Sequence, residues 1–151
     1  EAEALSRLRS KRGHPGYLAM FSSWLGGIVT DPALMQIPLD DHLVHRGHGV
    51  FDTCTLSSGR LYRLGIHIDR LLTSASLARI EHSWSKADLI QMVTDTASQA
   101  GIKDGAVRYW LTAGPGGFSP SPQECEEACF YCVIFDPMPL GGTGSNPMSL
   151  I

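Results

Sequence analysis

The sequence predicts an α+β domain in which an antiparallel sheet carries two helices on one face. Three observations lead there. Runs rich in β-branched and aromatic residues come in pairs, Val50 to Leu56 with Arg60 to Leu64, and Val107 to Thr112 with Ala128 to Phe135. Two stretches with helical apolar spacing lie together between those pairs. The resulting order, β-β-α-α-β-β, lacks the strand–helix–strand alternation that builds parallel sheets.

Each element has its own local signal. Residues 1–12 are helical in character, with Leu5 and Leu8 on one side and basic residues on the other, and Gly13, Pro15 and Gly16 stop the helix. Ser22 to Thr30 reads as a strand, or as a hairpin turning at Gly26-Gly27. Asp31-Pro32 is a turn, and Met35 to Leu39 is short and extended ahead of Pro38. Ser57, Ser58 and Gly59 turn the Val50–Leu56 strand back on itself. From Gly65 a helix places Ile68, Leu71, Leu72, Ala75 and Ala78 on one face. Ser85 is an N-cap with Asp88 at the third helical position. Leu89, Met92, Val93, Ala97 and Ala100 form the buried stripe of that second helix, and Gly101 closes it. Gly114 to Gly117 is a loop, and Glu124 to Glu127 is acidic and solvated. Beyond Asp136 the chain is rich in Pro, Gly and Ser without periodicity. The organisation expected is an N-terminal helix or extension over 1–20, a domain over 21–136, and a linker or frayed end over 137–151.

Composition narrows the function classes. The chain has 151 residues, 43% hydrophobic and 18% charged, with a net charge of −3. That suits one globular domain and argues against a nucleic-acid or anionic-membrane surface. No apolar run approaches the roughly 20 residues of a spanning helix. The chain opens on Glu1 without a Met and reads as the interior of a longer precursor that has lost any targeting segment.

Several side chains could carry chemistry. Arg70, early in the helix after Gly65, could turn its planar fork toward a phosphate or carboxylate at the strand edge. A surface arginine paired with Asp69 or Glu81 is the commoner case. Arg108 sits in the apolar run VRYWLT, sharing a strand face with Trp110 and opposing Val107, Tyr109 and Leu111. It is either an anion binder in a wet pocket or a solvent-facing strand residue. His42, His45 and His48 are spaced three apart, but Gly47 and Gly49 break a helix there. A loop of close backbone approach is preferred to a metal site. Cys125, Cys129 and Cys132 form C-x3-C-x2-C, yet Cys129 and Cys132 would face opposite sides of a strand. With Cys54 they read as free thiols in a reducing compartment. The glycine-rich run from Thr112 to Phe118 follows a strand but opens no helix, so it is neither a P-loop nor a dinucleotide fingerprint. A mobile turn is the favoured reading.

Together these segments resemble the fold-type IV pyridoxal-phosphate enzymes, the class IV family of D-amino-acid and branched-chain aminotransferases. HRGHGVFDT (45–53) is similar to the family segment ending G-V-F-E-T or V-F-E-G. HIDRLLTSA (67–75) is similar to its H-x-x-R-L-x-x-S-A helix. VRYWLTAGPGG (107–117) stands in the place of its next strand and loop, with a wording nearest plant and algal members. The resemblance runs from about Trp24 to about Phe135. It implies the small N-terminal domain of such an enzyme, with Arg70 on the cofactor phosphate, Phe51 lining the substrate pocket and Arg108 near the substrate carboxylate. It implies pyridoxal 5'-phosphate as cofactor for the complete protein, a homodimer, and an aminotransferase that moves an amino group from an amino acid to a 2-oxo acid. An aminodeoxychorismate lyase is the rival within the family.

The sequence also departs from the pattern. Asp52 replaces the usual Glu. Ala113 and Phe118 stand where D-amino-acid enzymes carry arginines. The lysine that holds the cofactor should lie beyond residue 151, in a C-terminal domain absent here, since Lys11, Lys86 and Lys103 do not match it. The chain alone is expected to be inactive, with no catalytic residue and no metal ligand of its own. The alternative is a truncated, non-catalytic relative serving as a structural subunit of a larger assembly. No residue decides localisation; a chloroplast or mitochondrion agrees with reduced thiols.

Overall fold

The computed structural model describes residues 1–11, 16–119 and 121–136. The linker expected over 137–151, and the Gly13 and Pro15 stops, lie outside them.

Helix α1 spans Ala2–Lys11. Strands β1 (Tyr17–Ser22), β2 (Gly27–Val29), β3 (Gly49–Ser57), β4 (Arg60–Leu61), β5 (Gly105–Thr112) and β6 (Cys129–Phe135) form one sheet of order β2-β1-β6-β5-β3-β4. Each pairing is antiparallel. A short α2 (His42–Arg46) precedes β3, and α3 (Leu64–Leu77) and α4 (Lys86–Ala100) lie between β4 and β5. The expected architecture is therefore the one observed. No helix among the described residues is long and apolar enough to cross a membrane.

Helices α3 and α4 cover one face of the sheet. Ile68, Leu71, Ala75, Leu89 and Val93 pack there against Cys54, Leu56, Val107, Tyr109, Leu111, Phe130, Cys132 and Ile134. Each fully buried large aliphatic side chain contributes about 1.5–3 kcal/mol relative to exposure. Ser85 and Asp88 form a reciprocal capping box on α4, and Gly101 ends it at φ +69°. The opposite face has a smaller core, where Met35 lies over Met20, Cys129, Tyr131 and Val133. As the strand period requires, Cys129 and Cys132 face opposite sides. All four cysteines are free thiols.

Three expectations change. The first hairpin begins at Tyr17, ahead of residue 21, and turns over Ser23 to Gly26 rather than at Gly26-Gly27. The Ser22 hydroxyl accepts the Leu25 N–H (3.2 Å) and Gly26 N–H donates to the Ser23 carbonyl (3.1 Å), which pulls the turn forward. The strand returning from Gly59 is only Arg60–Leu61, because Arg63 enters the left-handed region (φ +52°) and the helix starts at Leu64. The stretch over His42 to Arg46, expected as a loop, is a helical turn. The Asp41 carboxylate accepts the Leu43 N–H at its start and Gly47 (φ +67°) ends it.

Candidate functional site

The face of β3 and β5 turned away from α3 and α4 brings together two of the residues singled out above. Strand alternation puts Phe51, Thr53, Arg108 and Trp110 on that side, with Phe51 opposite Trp110 and Thr53 opposite Arg108. Val107, Tyr109 and Leu111 point the other way and are fully buried, as the alternation predicts. Arg108 Nε donates to Thr53 Oγ1 (3.0 Å), and its Cζ lies 5.4 Å from the Phe51 ring centroid. Its outer nitrogens have no protein acceptor among the described residues, so they can take an anion. Phe51 is 61% exposed, an uncommon state for a large aromatic on a strand. Trp110 floors the area beside Tyr131 and Val133.

Arg70 is on α3, on the other side of β3. It is bound neither to Asp69 nor to Glu81. Asp69 is taken by Lys86 (2.6 Å), and Arg70 Nε lies 3.5 Å from Asp52 Oδ2. The Arg70 side chain is 67% exposed and its terminal nitrogens have no other partner among the described residues. A guanidinium held on one edge and open on the other fits a phosphate group. The site thus has two parts flanking β3, an open cation at Arg70 and an aromatic–arginine pair at Phe51 and Arg108.

The glycine-rich segment is pinned rather than loose. His42 N–H donates to the Gly114 carbonyl (3.0 Å), and Gly116 N–H donates to the Asp40 carbonyl (3.1 Å). His42 Nε2 lies 2.9 Å from the Gly117 carbonyl. Gly114 has φ +87°, and a Cβ there would run into the Glu127 carbonyl, so no other residue fits without a shift of the chain leading into β6. Beneath the loop, the buried Asp41 accepts from Leu43 N (2.8 Å), Thr112 Oγ1 (3.0 Å) and the Tyr131 hydroxyl (2.8 Å). Burial, then the neighbouring Cys129 and Asp41, push the Tyr131 phenol far above its ordinary value. This network was not foreseen; its signal was Asp41 standing two residues before Leu43 as an N-cap.

The histidines diverge. His42 turns to Gly117, His45 meets the His42 ring edge-on at 4.8 Å, and His48 Nε2 lies 3.0 Å from the Ala78 carbonyl. Among the described residues no three His, Cys, Asp or Glu side chains are grouped to hold a metal ion. The close backbone approach expected at the glycines is not found: Gly47 (φ +67°) has open space around it, and at Gly49 a Cβ would meet the tip of Leu43 (Cδ1 at 2.7 Å) while the nearest backbone atom, the Leu111 carbonyl, stays at 3.4 Å.

Comparisons with known proteins bear on the family and the fold. The sequence pattern described as amino-transferase class IV matches residues 49–142. The chain belongs to the class IV aminotransferase family. Within it, the chain is 48% identical over 132 residues to a chloroplastic D-amino-acid transaminase of Arabidopsis thaliana, covering 87% of this chain and 35% of that protein. The branched-chain amino acid aminotransferase of Escherichia coli superposes with a TM-score of 0.73 at 18% identity, over 84% of this chain and 42% of that one. The branched-chain aminotransferase of the archaeon Thermoproteus uzoniensis, solved with norvaline, gives 0.69 at 20% identity, over 80% and 41%. These structures share the fold, that of the fold-type IV N-terminal domain. The chain spans well under half the length of these class IV relatives.

Proposed function

We propose that the whole protein is a pyridoxal-phosphate-dependent aminotransferase that moves the amino group of an amino acid to a 2-oxo acid. In this reading Arg70 binds the cofactor phosphate, Arg108 orients the substrate carboxylate, and Phe51 walls the substrate site. The observation that carries it is Arg70, open on its outer edge and one strand away from an open arginine–aromatic pair. When bound, pyridoxal phosphate supplies an electron sink for charge developing at the substrate α-carbon. The residues of this chain supply binding and orientation. Arg108, steadied by Thr53, offers two parallel N–H donors to a carboxylate. Phe51 and Trp110 present apolar surface that keeps water from the reacting side. The glycine loop, fixed by His42 and Asp40, closes one end of the sheet face.

The same reading puts the lysine that binds the cofactor in a second domain reached through residues 137–151, with this domain starting at β1, from Tyr17, rather than at the expected residue 21. It takes the whole protein as a homodimer, which the family resemblance implies. It also assigns an organellar location, supported by the name of the Arabidopsis relative.

The test is Arg70→Ala in the whole protein. Retention of pyridoxal phosphate through gel filtration, read by absorbance, should drop at least about tenfold, the loss expected for charge-assisted hydrogen bonds. Normal retention would remove the assignment.

A further inference from the structure

Asp52 is the acidic residue of β3 that turns toward the helices, into a face otherwise filled by Cys54 and Leu56. Its side chain is only 11% exposed. Oδ1 accepts the N–H of its own neighbour Thr53 at 2.8 Å. Strand β4 pairs only with Leu56 and Ser57, so the N–H of Thr53 lies on the outer edge of β3 beyond β4. Tyr62 N–H reaches the Thr55 carbonyl on that same edge (2.8 Å). The backbone amide thus locks one carboxylate oxygen in place. The other, Oδ2, lies 3.4 Å from His67 Nδ1 and 3.5 Å from Arg70 Nε. His67 and Arg70 occupy successive positions on one face of α3, both over this oxygen.

The ion pair with a mostly exposed arginine is at most a weak stabiliser. Steering is a different matter. Arginine has several rotatable bonds, and an exposed one samples many rotamers. A fixed carboxylate at the Nε edge selects those in which the Nη pair points outward.

We propose that Asp52 is the positioning residue of the phosphate site: locked by the Thr53 amide and flanked by His67, its carboxylate holds Arg70 by Nε so that both terminal nitrogens face a phosphate. This rests on the reading of Arg70 given above. The shorter acid serves here because the strand amide sets its direction.

The test compares pyridoxal 5'-phosphate with pyridoxal, which lacks the phosphate, on the whole protein, by equilibrium binding followed by absorbance. The readout is the ratio of the two affinities, which a general loosening of the domain would not move. Asp52→Asn keeps the shape and the Thr53 contact and removes the charge, and it should lower the ratio about tenfold. Asp52→Glu restores a carboxylate and should recover most of it. An unchanged ratio in Asp52→Asn overturns the proposal, as does an equal loss for both ligands. If Asp52→Asn does not fold, Asp52→Glu decides: a ratio as low as that of Arg70→Ala overturns it. Arg70→Ala separates the two layers. If it leaves the ratio unchanged, the phosphate reading of Arg70 fails. If it collapses the ratio while Asp52→Asn does not, only the positioning role fails.

Discussion

Replacing Tyr131 by Phe removes one oxygen from the fully buried network under the glycine loop. The phenol donates to Asp41 Oδ2 at 2.8 Å, and that oxygen's other donor is Thr112 Oγ1 at 3.0 Å. The ring itself is undisturbed and no large cavity forms. The cost is one hydrogen bond to a charged acceptor, about 1.5–3 kcal/mol. For a domain of this size that is a fall in Tm of roughly 5–10 °C. Urea unfolding followed by circular dichroism should show a lower midpoint with an unchanged slope. Thr112→Val should cost a similar amount, because it also strips the acceptor from Gly114 N–H (3.1 Å). The double variant should cost more than the sum, since Oδ2 then lacks a donor in a dry interior. A loss below about 0.5 kcal/mol in Tyr131→Phe, or strict additivity, would refute the reasoning.

Two further outcomes follow from the same structure. The Cys54 thiol is pushed from 9.0 up to about 11, first by burial and then by the charge of Asp52. A raised folded pKa means its stabilisation is complete below the unfolded value and is lost as pH rises between 9.0 and about 11. Cys54→Ala should therefore flatten the alkaline fall in stability across that window, by roughly 2–3 kcal/mol, in urea titrations at fixed pH steps. Gly114→Ala forces a side chain into φ +87° against the Glu127 carbonyl and should cost more than about 2 kcal/mol, with the loop shifted in a crystal structure.

What was legible in the sequence was what is decided locally. Ser85, Asp88 and Gly101 satisfy helix ends within a turn of themselves, so α4 could be placed to the residue. The alternation around Arg108 likewise needed only the strand period. Strand β1 escaped because both its faces are covered, Ala19 by the helices and Met20 by Met35, which erases the polar alternation. Helix α2 escaped because five residues are too few to be stable alone; contacts with Gly114 and Gly117 hold it. Arg70 stood out as a candidate phosphate ligand through resemblance, and that role is the proposal made above. Its partner did not, because Asp52 meets it only when α3 crosses β3.

The strict parity of β3 and β5 separates two kinds of mutational freedom. Odd positions on β3 and even ones on β5, Phe51 and Thr53 with Arg108 and Trp110, border the open face, whereas their neighbours Cys54, Leu56, Val107 and Tyr109 are locked in the core. Substitutions at alternate positions of the same two strands can therefore change the open face while the core is left largely intact. Asp52 breaks that division, standing on the core side while its carboxylate reaches the half-open Arg70; under the proposed reading, a lineage that drifts at this residue would lose cofactor capture before it lost the fold.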